Sequence, residues 1–184
     1  MASTFLQAAI MQFKYYKSLA DKTFDQIHDE DFFWKPINEN TNSISIIIQH
    51  LAGNMHSRFT NFLTEDGEKT WRKREEEFEQ KDIPKSNLLS IWEAGWNTLF
   101  ATLESLNDDD LEKIVYIRNQ GHTVTEAIAR QLCHYGYHVG QIVFIGTMIK
   151  GHEWKSLSIP KGNTAAYNES LFSKPKTKVH FTKN

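Results

Sequence analysis

Between residues 130 and 141 the chain reads Arg130-Gln131-Leu132-Cys133-His134-Tyr135-Gly136-Tyr137-His138-Val139-Gly140-Gln141, and its two imidazoles stand four positions apart. On a helix such a pair stacks on one face, close enough for both rings to grip one cation. Eight His in 184 residues would give about 0.34 such pairs in a shuffled chain, so the spacing alone carries little weight. A third imidazole, His50, lies among Ile47, Asn54, Arg58 and Asn61 on a comparable helix shoulder, where one polar recess would serve all three rings. Three neutral imidazoles at about 2.0–2.1 Å, with a fourth position open, form the ligand set of a catalytic zinc site. For each ring the ordinary alternative, a half-buried histidine hydrogen-bonded to a carbonyl, stays open at this level. His28, His152 and His180 carry only that reading. His56 points about 120° away from His50 around its helix. His122 precedes a helix, either near its mouth or simply in a turn.

Other chemistries lack their residues. His134 is followed by Tyr135, so the His-Glu-x-x-His of a zinc peptidase is missing. There is no Gly-x-x-x-x-Gly-Lys-Ser/Thr phosphate loop, no Gly-x-Gly-x-x-Gly and no Gly-x-Ser-x-Gly elbow. Cys133, about 100° from His134 around the helix, reads as a packed small hydrophobe.

Four helices are expected to position these groups. Phe5, Ala9, Phe13, Tyr16, Ala20, Phe24 and Ile27 recur at the helical period and predict helix one over residues 3–28. After a loop with Trp34-Lys35-Pro36, Asn42-Ser43 offers N-caps for helix two, whose stripe runs from Ile44 through Ile48, Leu51, Met55 and Phe59 to Phe62. Leu88, Trp92, Trp96, Leu99, Leu103 and Leu106 mark helix three, opened near Pro84 and closed before Asn107. Thr123-Val124-Thr125-Glu126 is a capping box for helix four, which should reach Lys150-Gly151. Ile114–Arg118 is β-prone, and with Asn119-Gln120-Gly121 as the turn it predicts a minor hairpin before helix four. The pattern is that of an all-α four-helix bundle. The connection from Thr64 to Ile83 is too long for a tight turn and predicts a crossover between helices two and three, mostly solvated because it is rich in charge.

At 184 residues and 21.4 kDa one core suffices. A lone cysteine fits a reducing, cytoplasmic setting, and the short apolar runs and uncharged start argue against a membrane span or export. Residues 155–184 hold six Lys against Glu169 alone, leaving the first 154 residues at −7. That acidic body lacks the electrostatic footprint of a nucleic-acid-binding protein. The domain plan is a bundle over 1–152 and an extended basic tail over 153–184.

A His in the middle of helix two and a His-x-x-x-His pair on helix four resemble the DinB/YfiT-like superfamily of metal-dependent enzymes over about residues 1–152. The strings Gln49-His50-Leu51-Ala52-Gly53-Asn54-Met55, Gly121–Ala127, His134–Ile142 and Ser156–Gly162 are similar to a bacterial branch of unknown function. The resemblance implies that His50, His134 and His138 coordinate one divalent ion, zinc or nickel first, with iron, manganese or cobalt as other occupants, and that the protein is a homodimer. It further implies an S-transferase joining a low-molecular-weight thiol to a small electrophile. A metal-dependent hydrolase of a small amide or ester, or a non-catalytic metal-binding or dimerisation protein, are the alternatives. For that chemistry Arg58 is the candidate to hold a substrate carboxylate, with a salt bridge to a linker Glu as the competing reading. Gln131 and Gln141 are candidates to orient the imidazoles.

Overall fold

The computed structural model describes residues 5–35 and 40–181. Four helices build the core: α1 (Phe5–Phe24), α2 (Ile44–Phe59), α3 (Lys85–Ser105) and α4 (Val124–Lys150). Ser43 Oγ accepts the Ile46 N–H and so starts α2. Thr123 and Glu126 form the reciprocal capping box that starts α4. Helix one is shorter than its apolar stripe suggested, because the chain turns after Phe24, with Gln26 N–H bonded to the Thr23 carbonyl. Residues 3 and 4, expected in it, and Pro36 lie outside the described residues. Phe62 is buried as expected but beyond the end of α2, which is closed by Asn61 in the left-handed region (φ 49°).

Paired contacts fix the helix directions. Ala52 meets Gly95, His56 meets Thr98 and Phe59 meets Thr102, so α2 and α3 run the same way. Phe13 with Tyr135, Tyr16 with Gly136 and Thr23 with Gly146 make α1 and α4 parallel too. Lys14 with Glu104 and Asp21 with Trp92 set α1 against α3. Asn54 with Tyr135 and His50 with His138 set α2 against α4. The bundle is therefore up-down-down-up. Parallel neighbours need the expected crossover, since the chain must travel back the length of α2 before α3 can begin. At Gly95 an added Cβ would sit 2.8 Å from Ala52 Cα, so glycine lets the two parallel helices close together. Phe13, Trp92, Trp96 and Tyr135 fill the centre.

The minor hairpin is present as β1 (Ile114–Ile117) and β2 (Gln120–Thr123), with Ile117 opposite Gln120. Its turn is not the expected Asn119-Gln120-Gly121. It is the two-residue Arg118-Asn119, with φ 55° and 60°, the geometry that matches strand twist.

The crossover is mostly solvated, as expected, but not everywhere: its residues 74–78 form a 3₁₀ turn, and Gly67, Lys69, Glu77 and the Arg72 side chain are buried against the bundle. One expectation about the connections is corrected. The basic tail is not extended throughout: α5 (Thr164–Phe172) forms there, with none of its residues buried, so local propensity rather than packing supports it. The tail touches the body where Gln26 bonds the Lys155 backbone and where Phe181 packs on Tyr15. No helix among the described residues is long and apolar enough to cross a membrane.

Candidate metal centre

Nearly every residue of α2 is buried, so the ring of His50 has one direction to face, toward α4. There His134 and His138 stack one turn apart, as their spacing required. One ring nitrogen of each His comes within 4.8 Å of the other two. His50 Nε2 and His134 Nε2 are 3.3 Å apart. Two ligands at about 2.0–2.1 Å from a tetrahedral ion would be separated by about 3.3–3.4 Å.

The opposite nitrogen of each ring is tied down. His50 Nδ1 faces Glu77 Oε2 at 3.0 Å, His134 Nδ1 faces Gln131 Oε1 at 3.2 Å, and His138 Nδ1 faces Gln141 Oε1 at 2.7 Å. Each partner is an oxygen that accepts, so in the neutral ring each Nδ1 carries the proton and the lone pair falls on Nε2. A single proton between His50 and His134 would satisfy two of these lone pairs. It would leave the third, since His138 Nε2 is buried with no hydrogen-bond partner among the described residues. Burial, reinforced by the neighbouring imidazoles and by Arg58 and Arg72, pushes His134 down to about 3. Burial first, then His50, brings His138 to about 4, despite Gln141. Both rings therefore present lone pairs at neutral pH. Three converging, buried or partly buried ring nitrogens are a donor set that fits a divalent cation.

The nitrogens open onto a cavity of about 630 Å³. Residues 1–163 match the profile of a family described as "Protein of unknown function (DUF1572)". The chain belongs to that family. No curated protein matches this DUF1572 chain.

Of the residues expected beside the imidazoles, Asn54 and Arg58 reach the cavity and Asn61 does not. Asn54 Oδ1 accepts the buried Tyr135 hydroxyl at 2.9 Å. Arg58 is buried, and its NH1 donates to the Gly67 carbonyl and, at 3.1 Å, to Glu68 Oε2, so the salt bridge to a linker glutamate is present. Its Nε is buried and unpartnered among the described residues. Gln131 and Gln141 stand where expected. Cys133 does not pack as a small hydrophobe: it is exposed and lines the cavity, because the neighbouring face of α4 is left uncovered there. His56 instead bonds Thr98 Oγ1, and His122 lies on β2 opposite Val115, both outside the triad.

Sequence reasoning missed Glu77. Its carboxylate takes Arg72 Nε at 2.7 Å and Arg72 NH2 at 2.9 Å while holding His50. Burial alone would raise this carboxyl, but the hydrogen bonds with His50 and Arg72 outweigh it and keep it ionised. Gly53 leaves the room, for a Cβ there would land on the Glu77 carboxylate. Phe78 stacks its ring at 4.7 Å from that of His50. The one available signal was Phe78, an aromatic residue inside a run of charges.

Proposed function

We propose that this DUF1572 protein is a divalent-metal-dependent enzyme, an S-transferase that joins a low-molecular-weight thiol to a small electrophile. The observation that carries the proposal is the convergence of one ring nitrogen from each of three histidines whose Nδ1 atoms face accepting oxygens. The resemblance of the His50 and His134–His138 strings to the DinB/YfiT-like superfamily supports the reaction class, and zinc or nickel as the ion. Uncharged ligands leave a bound divalent ion its full charge, and the chemistry it supplies is to favour the thiolate of a thiol that is otherwise only about 3% ionised at pH 7.

The protein's own contribution is to hold and shield. Glu77, Gln131 and Gln141 keep the three rings from turning, so the donors are set before any ion arrives. Tyr135 is fully buried next to His134, and its hydroxyl donates to Oδ1 of the cavity-lining Asn54. Glu77 is committed to His50 and Arg72, and no carboxylate among the described residues lines the cavity. A hydrolase would want a base there, which places metal-dependent hydrolysis second.

The test is elemental analysis of protein purified without an affinity tag, beside His50→Ala, His134→Ala and His138→Ala. Near-stoichiometric metal is expected in the parent, and loss in each folded variant. Metal-loaded protein should accelerate coupling of cellular thiols to 1-chloro-2,4-dinitrobenzene. Metal binding without any such coupling, and without hydrolysis of ester and amide panels, would favour the non-catalytic reading.

A further inference from the structure

The 21 basic residues of the chain are five Arg and sixteen Lys. All five Arg line the cavity that holds the imidazoles, and no Lys does among the described residues. They arrive from four separate places: Arg58 from α2, Arg72 and Arg74 from the crossover, Arg118 from the hairpin turn and Arg130 from α4. Arg118 reaches it from a left-handed backbone, a conformation that a non-glycine residue adopts at some cost.

Their charges are not cancelled. Glu68 Oε2 is shared by Arg58 at 3.1 Å, Arg72 at 3.6 Å and Arg118 at 3.2 Å. Glu77 serves Arg72 together with His50. Arg74 meets Glu75 at 3.0 Å, a carboxylate that points into solvent at 89% exposure. Arg130, one turn before His134, makes no hydrogen bond or ion pair among the described residues. Against the five guanidiniums stand these three carboxylates and that of Asp66, which feels the Arg58 charge, so a net positive charge remains, on a body that is otherwise acidic. Planar guanidiniums match carboxylate and phosphate oxygens in pairs, which a lysine ammonium does not.

We propose that the cavity recognises a small organic dianion, its two charges on carboxylate or phosphate groups held at the rim by Arg74 and Arg130. Its placement as a substrate, reacting group toward the imidazoles, rests on the metal-enzyme reading above; its binding does not. The inner pair, Arg58 and Arg72, sets the positive potential of the wall, and the rim pair supplies the free donors.

The test is calorimetric titration of the full chain at low ionic strength with succinate, inorganic phosphate and the neutral analogue succinamide. Succinate or phosphate should bind and succinamide should not; whichever anion binds more tightly names the group. Arg74→Gln/Arg130→Gln should weaken that binding at least tenfold with its metal content intact, whereas Lys14→Gln/Lys150→Gln, which removes the same charge elsewhere, should not. The proposal is overturned if neither anion binds, or if the two double variants lose binding equally. His134→Ala separates the two readings: anion binding kept while metal is lost supports both. Metal retained by that variant sinks the triad alone, and wild-type protein that takes up metal but no dianion sinks this proposal alone.

Discussion

At Glu77 a carboxylate accepts from both Arg72 and His50, and Glu77→Gln would exchange one accepting oxygen for an N–H₂ that has nothing to donate to among those partners. As a residue that positions His50, it should act through ligand geometry: metal affinity falling about 10–100-fold in a competition titration with a chromophoric chelator, at unchanged circular dichroism. Gly53→Ala should do the same by pushing the carboxylate aside. An unaltered affinity in both would show that His50 needs no outer support. The residues legible beforehand, His50, His134, His138, Gln131 and Gln141, all sit on helices, where a period of 3.6 turns sequence separation into direction. Glu77 and Arg72 were illegible because their stretch has no period, and a run of alternating charges looks the same whether it faces water or an imidazole.

Among the elements, the crossover is pinned to the hairpin through Asp66, which accepts the N–H groups of Glu68 at 2.7 Å, Arg118 at 2.9 Å and Asn119 at 2.8 Å. Burial alone would raise its carboxyl, but these three bonds bring it below the ordinary range. A carboxyl depressed in the folded state stabilises fully above its unfolded value of about 3.9, and that contribution is lost as the pH falls through the folded value. The gap in urea midpoint between the parent and Asp66→Ala should therefore hold steady from neutral pH to about pH 5 and close below about pH 4. A gap that persists at low pH would mean that the charge is not what holds the loop. Helix starts were readable here because Ser43 and Thr123 satisfy orphan N–H groups by local chemistry. The hairpin turn was displaced because Gly121 drew attention as the turn former, whereas Arg118 and Asn119 take the positive φ values.

At the scale of the whole molecule, α4 presents Tyr137, Phe144 and Met148 to solvent at helical spacing. Such a stripe is the natural face for the homodimer that the superfamily resemblance implies. Light scattering should give about 43 kDa, twice the 21.4 kDa chain, and Phe144→Lys should return it to the single-chain mass; a parent that scatters as one chain would refute the dimer. The four core helices and the crossover were foreseeable, but the up-down-down-up order was not, since only cross-helix contacts such as His56 with Thr98 reveal which neighbours run parallel. That order has a corollary in chain length. Retracing the sixteen residues of α2, about 24 Å, takes about eight residues of extended chain, while twenty-five separate Phe59 from Lys85. The surplus is what carries Glu68, Arg72, Arg74 and Glu77, so a protein trimmed to the minimum bridge would keep the same bundle and lose one wall of its cavity; the scaffold and the lining of the recess are encoded here in separable lengths of polypeptide.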